Sequence, residues 1–153
     1  MALRNIVQIG DETLRKKCSE VTDFGEKTHA LLDDMKQTLK KAEGVGLAAP
    51  QIGVLRRIFI LSLDGQYYEC INPKIIEQSG RQEGEEGCLS VRGKCGVVVR
   101  PNKVTLTAFD RYGKPFVLKG EGLMARAICH ENDHLDGTLY IDKAKSVEGD
   151  DRY

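Results

Sequence analysis

Two of the three histidines in this chain, His130 and His134, stand four residues apart with Glu131 beside the first. They lie in the run Ile128-Cys129-His130-Glu131-Asn132-Asp133-His134-Leu135-Asp136-Gly137. Positions i and i+4 share one side of an α-helix, so a pair that acts together requires this stretch to be helical and packed where two imidazoles can converge. The spacing is H-E-x-x-H, in which two imidazoles hold one ion while the neighbouring carboxylate handles protons. Leu123 and Ala127 extend an apolar helical pattern upstream from Glu121, and Asp136-Gly137 is a stop signal. A helix of about four turns with the histidines near its end is predicted. The same spacing also arises by chance in solvated helices, and a catalytic ion needs a third protein ligand and an open fourth position.

The rest of the chain says what such a helix can pack against. Leu31, Leu32, Met35 and Leu39 form a stripe that predicts an amphipathic helix over 27–42, with Gly44 as its cap. Residues 57–63 read as a buried strand that turns at Asp64-Gly65 and returns antiparallel over 67–71. Further strands are expected at 74–78, 96–100 and 104–110, the last turning through Arg111-Tyr112-Gly113-Lys114 onto 115–118. A helix, several strands and a second helix give an α+β fold: an N-terminal helix and small antiparallel sheets around a central metal-binding helix. The chain of 153 residues, 41% hydrophobic, suits one domain over 1–145, with 146–153 expected to be a frayed, dispensable tail.

Basic and acidic residues number 23 each, which gives no general attraction to nucleic acid or anionic membrane. No apolar run is long enough for a membrane span and the N-terminus lacks a secretory layout, so a cytoplasmic protein is expected. Five cysteines, an odd number without a CxxC pair, suggest reduced thiols.

Two stretches resist a purely structural reading. In Gly44-Val45-Gly46-Leu47-Ala48-Ala49-Pro50-Gln51-Ile52-Gly53, a helix cap and a turn explain Gly44 and Gly53 but not Gly46 or Gln51. In Glu85-Glu86-Gly87-Cys88-Leu89-Ser90, the cysteine sits in polar surroundings unlike those of a core thiol. As a thiolate, Cys88 would complete a Cys-His-His ligand set and leave one place for water. As a nucleophile it would leave Glu131 and the second histidine without clear roles.

With these stretches together the chain resembles the peptide deformylases, which remove the formyl group from the N-terminal methionine of new bacterial polypeptides. Three motifs occur in the family's order: 44–51 for the glycine loop, 86–90 for E-G-C-φ-S, and 130–134 for H-E-x-D-H, with Asp133 in place. The resemblance covers roughly residues 1–142 and implies that Cys88, His130 and His134 hold one divalent ion. That ion would be ferrous iron in the cell, with nickel, cobalt or zinc able to substitute. It further implies that Glu131 takes a proton from the attacking water and returns it to the leaving amine. Gln51 and the Leu89 backbone N–H would steady the charge on the formyl oxygen. Val45, Leu123 and Ala127 would line the methionine slot, although core packing accounts for them equally well. The Gly46 and Gly87 amides would bind the peptide as an added strand. Glu86 is expected to pair with Arg100, either buried so as to fix the cysteine loop or solvated and worth under about 1 kcal/mol. The partners implied are formyl-methionyl nascent chains and the ribosome that presents them. Little chain follows the metal helix to supply the long C-terminal helix that some members use for ribosome contact.

Departures from the family pattern are Cys129 where glutamine often precedes the first histidine, Arg92 where proline is frequent, and Cys95 where many members carry a substrate-facing arginine. Cys95 and Cys129 are expected close to the ion. A zinc peptidase with a carboxylate or histidine as third ligand is the alternative enzyme reading, and Cys88 argues against it. The non-enzymatic alternative is a zinc site that serves folding only, closed by Cys95 or Cys129 as a fourth ligand.

Overall fold

The computed structural model describes residues 2–149. Helix α1, Glu26–Ala42, buries Leu31, Leu32, Met35 and Leu39, the stripe that its sequence predicts. It ends at Glu43, which adopts the left-handed conformation (φ 56°) expected of a cap glycine. Gly44 has a different reason to be glycine. A Cβ there would lie 2.8 Å from Leu39 Cδ1 and 2.9 Å from Leu89 Cδ1, so only a bare Cα lets α1 and the Leu89 turn close on each other.

The loop expected over 44–53 contains a short strand, β1 (Gly46–Ala48), and a 3-10 turn, Ala49–Ile52. Strand β2, Ile58–Leu63, joins β3, Gln66–Ser79, through Asp64 (φ 54°) and Gly65 (φ 76°). Two consecutive left-handed residues make the tight turn whose twist suits a hairpin. The strands expected separately at 67–71 and 74–78 are one strand with a register shift between Ile71 and Lys74. Asn72 (φ 50°) absorbs the irregularity, its side chain satisfying both the N–H and the carbonyl of Val21.

Strands β4 (Gln82–Cys88), β5 (Val91–Arg100), β6 (Lys103–Phe109) and β7 (Pro115–Glu121) follow, then helix α2, Leu123–His134, and β8, Val147–Gly149. Two antiparallel sheets result, one in the order β1-β2-β3-β6-β7 and the other β4-β5-β8. The fold is α+β, with two α-helices and antiparallel sheets among the described residues. The Glu85–Ser90 region is therefore largely strand rather than loop, and Cys88 is the last residue of β4. Part of the segment expected to fray, Val147–Gly149, pairs instead with β5, because Gly96 has no side chain to hold the returning chain away: a Cβ there would meet Ser146 O at 2.6 Å. Residues 150–153 of that expected tail lie outside the described residues.

Helix α2 is 12 residues, about three turns rather than four, because Gly122 (φ 63°) starts it later than Glu121. Its apolar back, Ala125 and Ile128, packs with Phe59, Leu61, Leu106 and Leu118 of the five-stranded sheet, which leaves the opposite face toward β4. The N-terminal segment ties the two sides together: Val7 N–H donates to Gln51 O (2.7 Å), Ile9 N–H to Ser90 O (2.8 Å) and Gln8 Nε2 to Leu89 O (2.9 Å). Both stretches that the sequence singles out are thus held by one strap.

Because Ile128 is fully buried under α2, Ile128→Ala should lower the unfolding free energy by about 2–5 kcal/mol in a urea titration. Val117→Ala, at a position 59% exposed, should stay within about 0.5 kcal/mol of the parent.

Candidate metal centre

A register shift between Glu86 and Cys88 ends β4 and turns the Cys88 thiol toward α2. One helical turn separates His130 from His134, so both rings lie on the side of α2 that faces that thiol. Cys88 Sγ and a nitrogen from each histidine lie within 4.8 Å of one another, all three residues buried. The Cys88 Sγ to His134 Nε2 separation is 3.4 Å. A thiolate at about 2.3 Å and an imidazole at about 2.0 Å from one tetrahedral ion would stand about 3.5 Å apart. The donor set and its spacing therefore fit a divalent cation. Neither Cys95 nor Cys129 belongs to the cluster, so neither supplies the fourth ligand that the folding-only zinc alternative requires. The Cys95 thiol faces Glu85 Oε1 at 3.9 Å on the outer sheet. Cys129 packs into the apolar core behind α2, where burial pushes its thiol up to about 11.

The rings are oriented from behind. His130 Nδ1 lies 2.8 Å from Glu86 Oε1, so Nδ1 is the donor and Nε2 is left for the cluster. Arg100 grips the same carboxylate with two bonds of 2.9 Å and holds Asp133 Oδ2 at 2.7 Å. The Glu86–Arg100 pair is thus buried, with side chains 4% and 2% exposed, which rules out the solvated alternative. Burial alone would raise the Glu86 carboxyl, but the bonds from Arg100 and His130 outweigh it and hold the group well below the carboxylate range. Burial also opposes charge on both histidines. Hydrogen bonds to Cys88 and Glu86 reverse that for His130, which is held well above the ordinary range, while His134 is held well below it. A shared cation would satisfy all three donors at once.

Gln51 and Glu131 complete the site. Gln51 Oε1 accepts from Ala48 N–H (2.9 Å), so its amide NH₂ faces Cys88 Sγ (3.5 Å) and Ser90 Oγ (3.1 Å). Glu131 is 5% exposed, Oε1 has no hydrogen-bond partner, and burial pushes its carboxyl up to about 7. Gly46 makes room for it: a Cβ at that position would fall 2.6 Å from Glu131 Oε2. That close approach supplies the reason for the glycine that turn chemistry does not give.

One cleft opens over these groups, and Val45, Gly46, Gly87, Leu89, Leu123 and Ala127 all line it. Val45 and Leu123 are 39% and 57% exposed, so both are cleft-rim residues rather than core. Ser90, the last residue of the E-G-C-φ-S motif, belongs to the site as an acceptor for Gln51, and Arg126, which the motifs alone do not reach, belongs to it too. The signal for Arg126 is its place at i−4 from His130, on the ligand side of α2.

A three-donor cluster beside a buried carboxylate, under an open cleft, is the equipment of a hydrolase that works with a divalent ion. The polypeptide deformylase family model matches residues 3–150. A peptide deformylase of Lachnoclostridium phytofermentans is 52% identical over 146 residues, covering 94% of this chain and 90% of that protein. The crystal structure of a peptide deformylase from Legionella pneumophila superposes with a TM-score of 0.92 at 46% identity, covering 94% of this chain and 87% of the other. One from Synechococcus elongatus, solved in complex with actinonin, superposes at 0.91 with 35% identity, covering 94% and 79%. The chain belongs to the polypeptide deformylase family and is a hydrolase.

Because the folded-state Glu86 carboxyl lies below its ordinary 4.5, its contribution to stability is present above about pH 5 and is lost as pH falls from there. The denaturant midpoint should therefore drop below about pH 5, and drop less in Glu86→Gln. At pH 7 that variant should already be about 3–5 kcal/mol less stable, since it leaves the buried Arg126 without a carboxylate partner and Arg100 with Asp133 alone.

Proposed function

We propose that the chain removes the N-formyl group from formyl-methionyl ends of newly made polypeptides and releases formate. The observation that carries this reading is the pairing of the Cys88/His130/His134 cluster with an unpartnered, buried Glu131 at the floor of an accessible cleft.

Cys88, His130 and His134 would hold the ion, ferrous iron in the cell, and their thiolate and imidazole donors also suit nickel, cobalt or zinc. Bound there, the cation supplies Lewis acidity and brings a water's pKa down to about 7 in favourable sites. Glu131 takes the proton from the attacking water, a task for which a carboxyl pushed up to about 7 is matched. As the water oxygen bonds to the formyl carbon, charge gathers on the formyl oxygen. The Gln51 amide and the Leu89 N–H donate to it, Gln51 being pre-aimed by its bond from Ala48. The C–N bond then breaks, Glu131 returns its proton to the departing amine, and formate leaves.

Strand β1 edges the five-stranded sheet and β4 edges the three-stranded one, so Gly46 and Gly87 each present backbone to an extended peptide lying in the cleft between them. Val45, Leu123 and Ala127 offer apolar surface to the methionine side chain. Two of the three are too exposed for core packing to account for them. The substrate class places the work in the cytoplasm on chains emerging from the ribosome. No helix among the described residues is long and apolar enough to cross a membrane.

Formate release from formyl-Met-Ala-Ser by the metal-loaded chain checks this directly. Glu131→Ala should cost at least about 10²–10⁴ in kcat, whereas a folding-only zinc site would be indifferent to it. Gln51→Ala should cost about 10²–10³, chiefly in kcat. Gly46→Ala should approach the Glu131 variant in lost activity, with its thermal midpoint close to the parent's, because its Cβ occupies the space of the Glu131 carboxylate.

A further inference from the structure

We propose that Arg126 is a positioning residue for the metal centre: acting through Glu86, its guanidinium locks the Cys88-bearing strand to the histidine-bearing helix and fixes the His130 ring for ligation. The inference rests on the reading that Cys88, His130 and His134 hold a cation.

Arg126 stands one turn before His130 on α2, with its side chain 7% exposed. A buried guanidinium is costly unless its donors are used, and these are spent on one small region. Nη1 donates to Glu86 Oε2 (2.5 Å), Val98 O (3.1 Å) and Gly84 O (3.3 Å), and Nη2 to Gln82 Oε1 (3.3 Å). The fork lies flat on Gly84, where a Cβ would sit 3.1 Å from Nη2. Helix α2 is thereby fastened to both β4 and β5, two residues upstream of Cys88.

Charge balance alone does not account for Arg126, since Arg100 already grips Glu86 with two bonds. What the second guanidinium adds is saturation. Glu86 Oε2 accepts from Arg100 Nε and Arg126 Nη1, and Oε1 from Arg100 Nη2 and His130 Nδ1, which fills the four acceptor directions of a carboxylate. A carboxylate between two cations acts only as an acceptor, so His130 must keep its proton on Nδ1 and present Nε2 to the cluster. Without Arg126, Glu86 could swing with Arg100 alone, and both the ring and the Cys88 strand would lose a fixed reference.

The test is Co²⁺ affinity, measured by titrating the full-length apo chain against a competing chelator. Arg126→Met should bind about 10–100-fold more weakly, the range for removed supports of metal ligands. At saturating Co²⁺ its kcat/KM should recover most of the loss. Arg126→Gln, which keeps an N–H donor for the strand carbonyls, is the second variant should Met prevent folding, and the same weakening is expected. In a Glu86→Gln background, Arg126→Met should add less than about threefold, because the two act in series. A folded variant whose affinity stays within twofold of the parent would make Arg126 a packing residue and overturn the proposal, as would a full additional loss in the Glu86→Gln background. A parent chain that binds no Co²⁺ would instead bring down the metal-site reading beneath it.

Discussion

Everything at the centre of this molecule is referred to one carboxylate. Glu86 lies between the guanidinium groups of Arg100 and Arg126 and orients the ring of His130, and it comes from the strand that delivers Cys88 two residues later. An isolated carboxylate this deeply buried would take up a proton, and a protonated one could not hold an imidazole in a single tautomer. The paired cations keep it an acceptor and convert a seam between two sheets and a helix into a rigid joint. Arg100 extends the joint to Asp133, and Lys143 meets that residue from the surface, so the H-E-x-D-H turn is supported on both of its sides.

The site sits where the two sheets fail to merge. Strands β1 and β4 are edge strands of different sheets, and the gap between them is the cleft. Edge strands ordinarily invite unwanted pairing. Here one edge is short and glycine-bearing, and the other ends in a bulge that carries the thiol. Their unpaired backbone is what the proposed reading uses to hold an extended peptide over Glu131. The N-terminal strap, bonded to Gln51 O, Leu89 O and Ser90 O, holds the Gln51 and Leu89 segments at a fixed spacing.

Local features of this fold are legible in the sequence. The stripe of α1, the Asp64-Gly65 turn and the H-E-x-x-H spacing each depend on neighbours a few residues away, so periodicity and turn chemistry suffice for them. The three ordered motifs extend that legibility to the ligand set, since Cys88, His130 and His134 converge as the resemblance implies. Features set by distant packing are not legible. The reason for Gly46 lies in the Glu131 carboxylate, and Arg126 reads as an ordinary polar helix residue until β4 is placed against it. The continuity of β3 through Asn72-Pro73 depends on a side chain that bonds back to Val21. Residues 147–149 carry no strand pattern of their own; they pair because Gly96 offers an unobstructed edge.

One thiolate and two imidazoles from this chain would together bind a single cation with a coordination position open to solvent. The Co²⁺-substituted protein tests it most directly through its absorption spectrum. One Co²⁺ per chain is expected, with a thiolate-to-metal charge-transfer band that is absent in Cys88→Ser, and ligand-field bands that shift when formate is added. A charge-transfer band that survives in Cys88→Ser would show a different ligand set, and a spectrum indifferent to every added ligand would show a closed site.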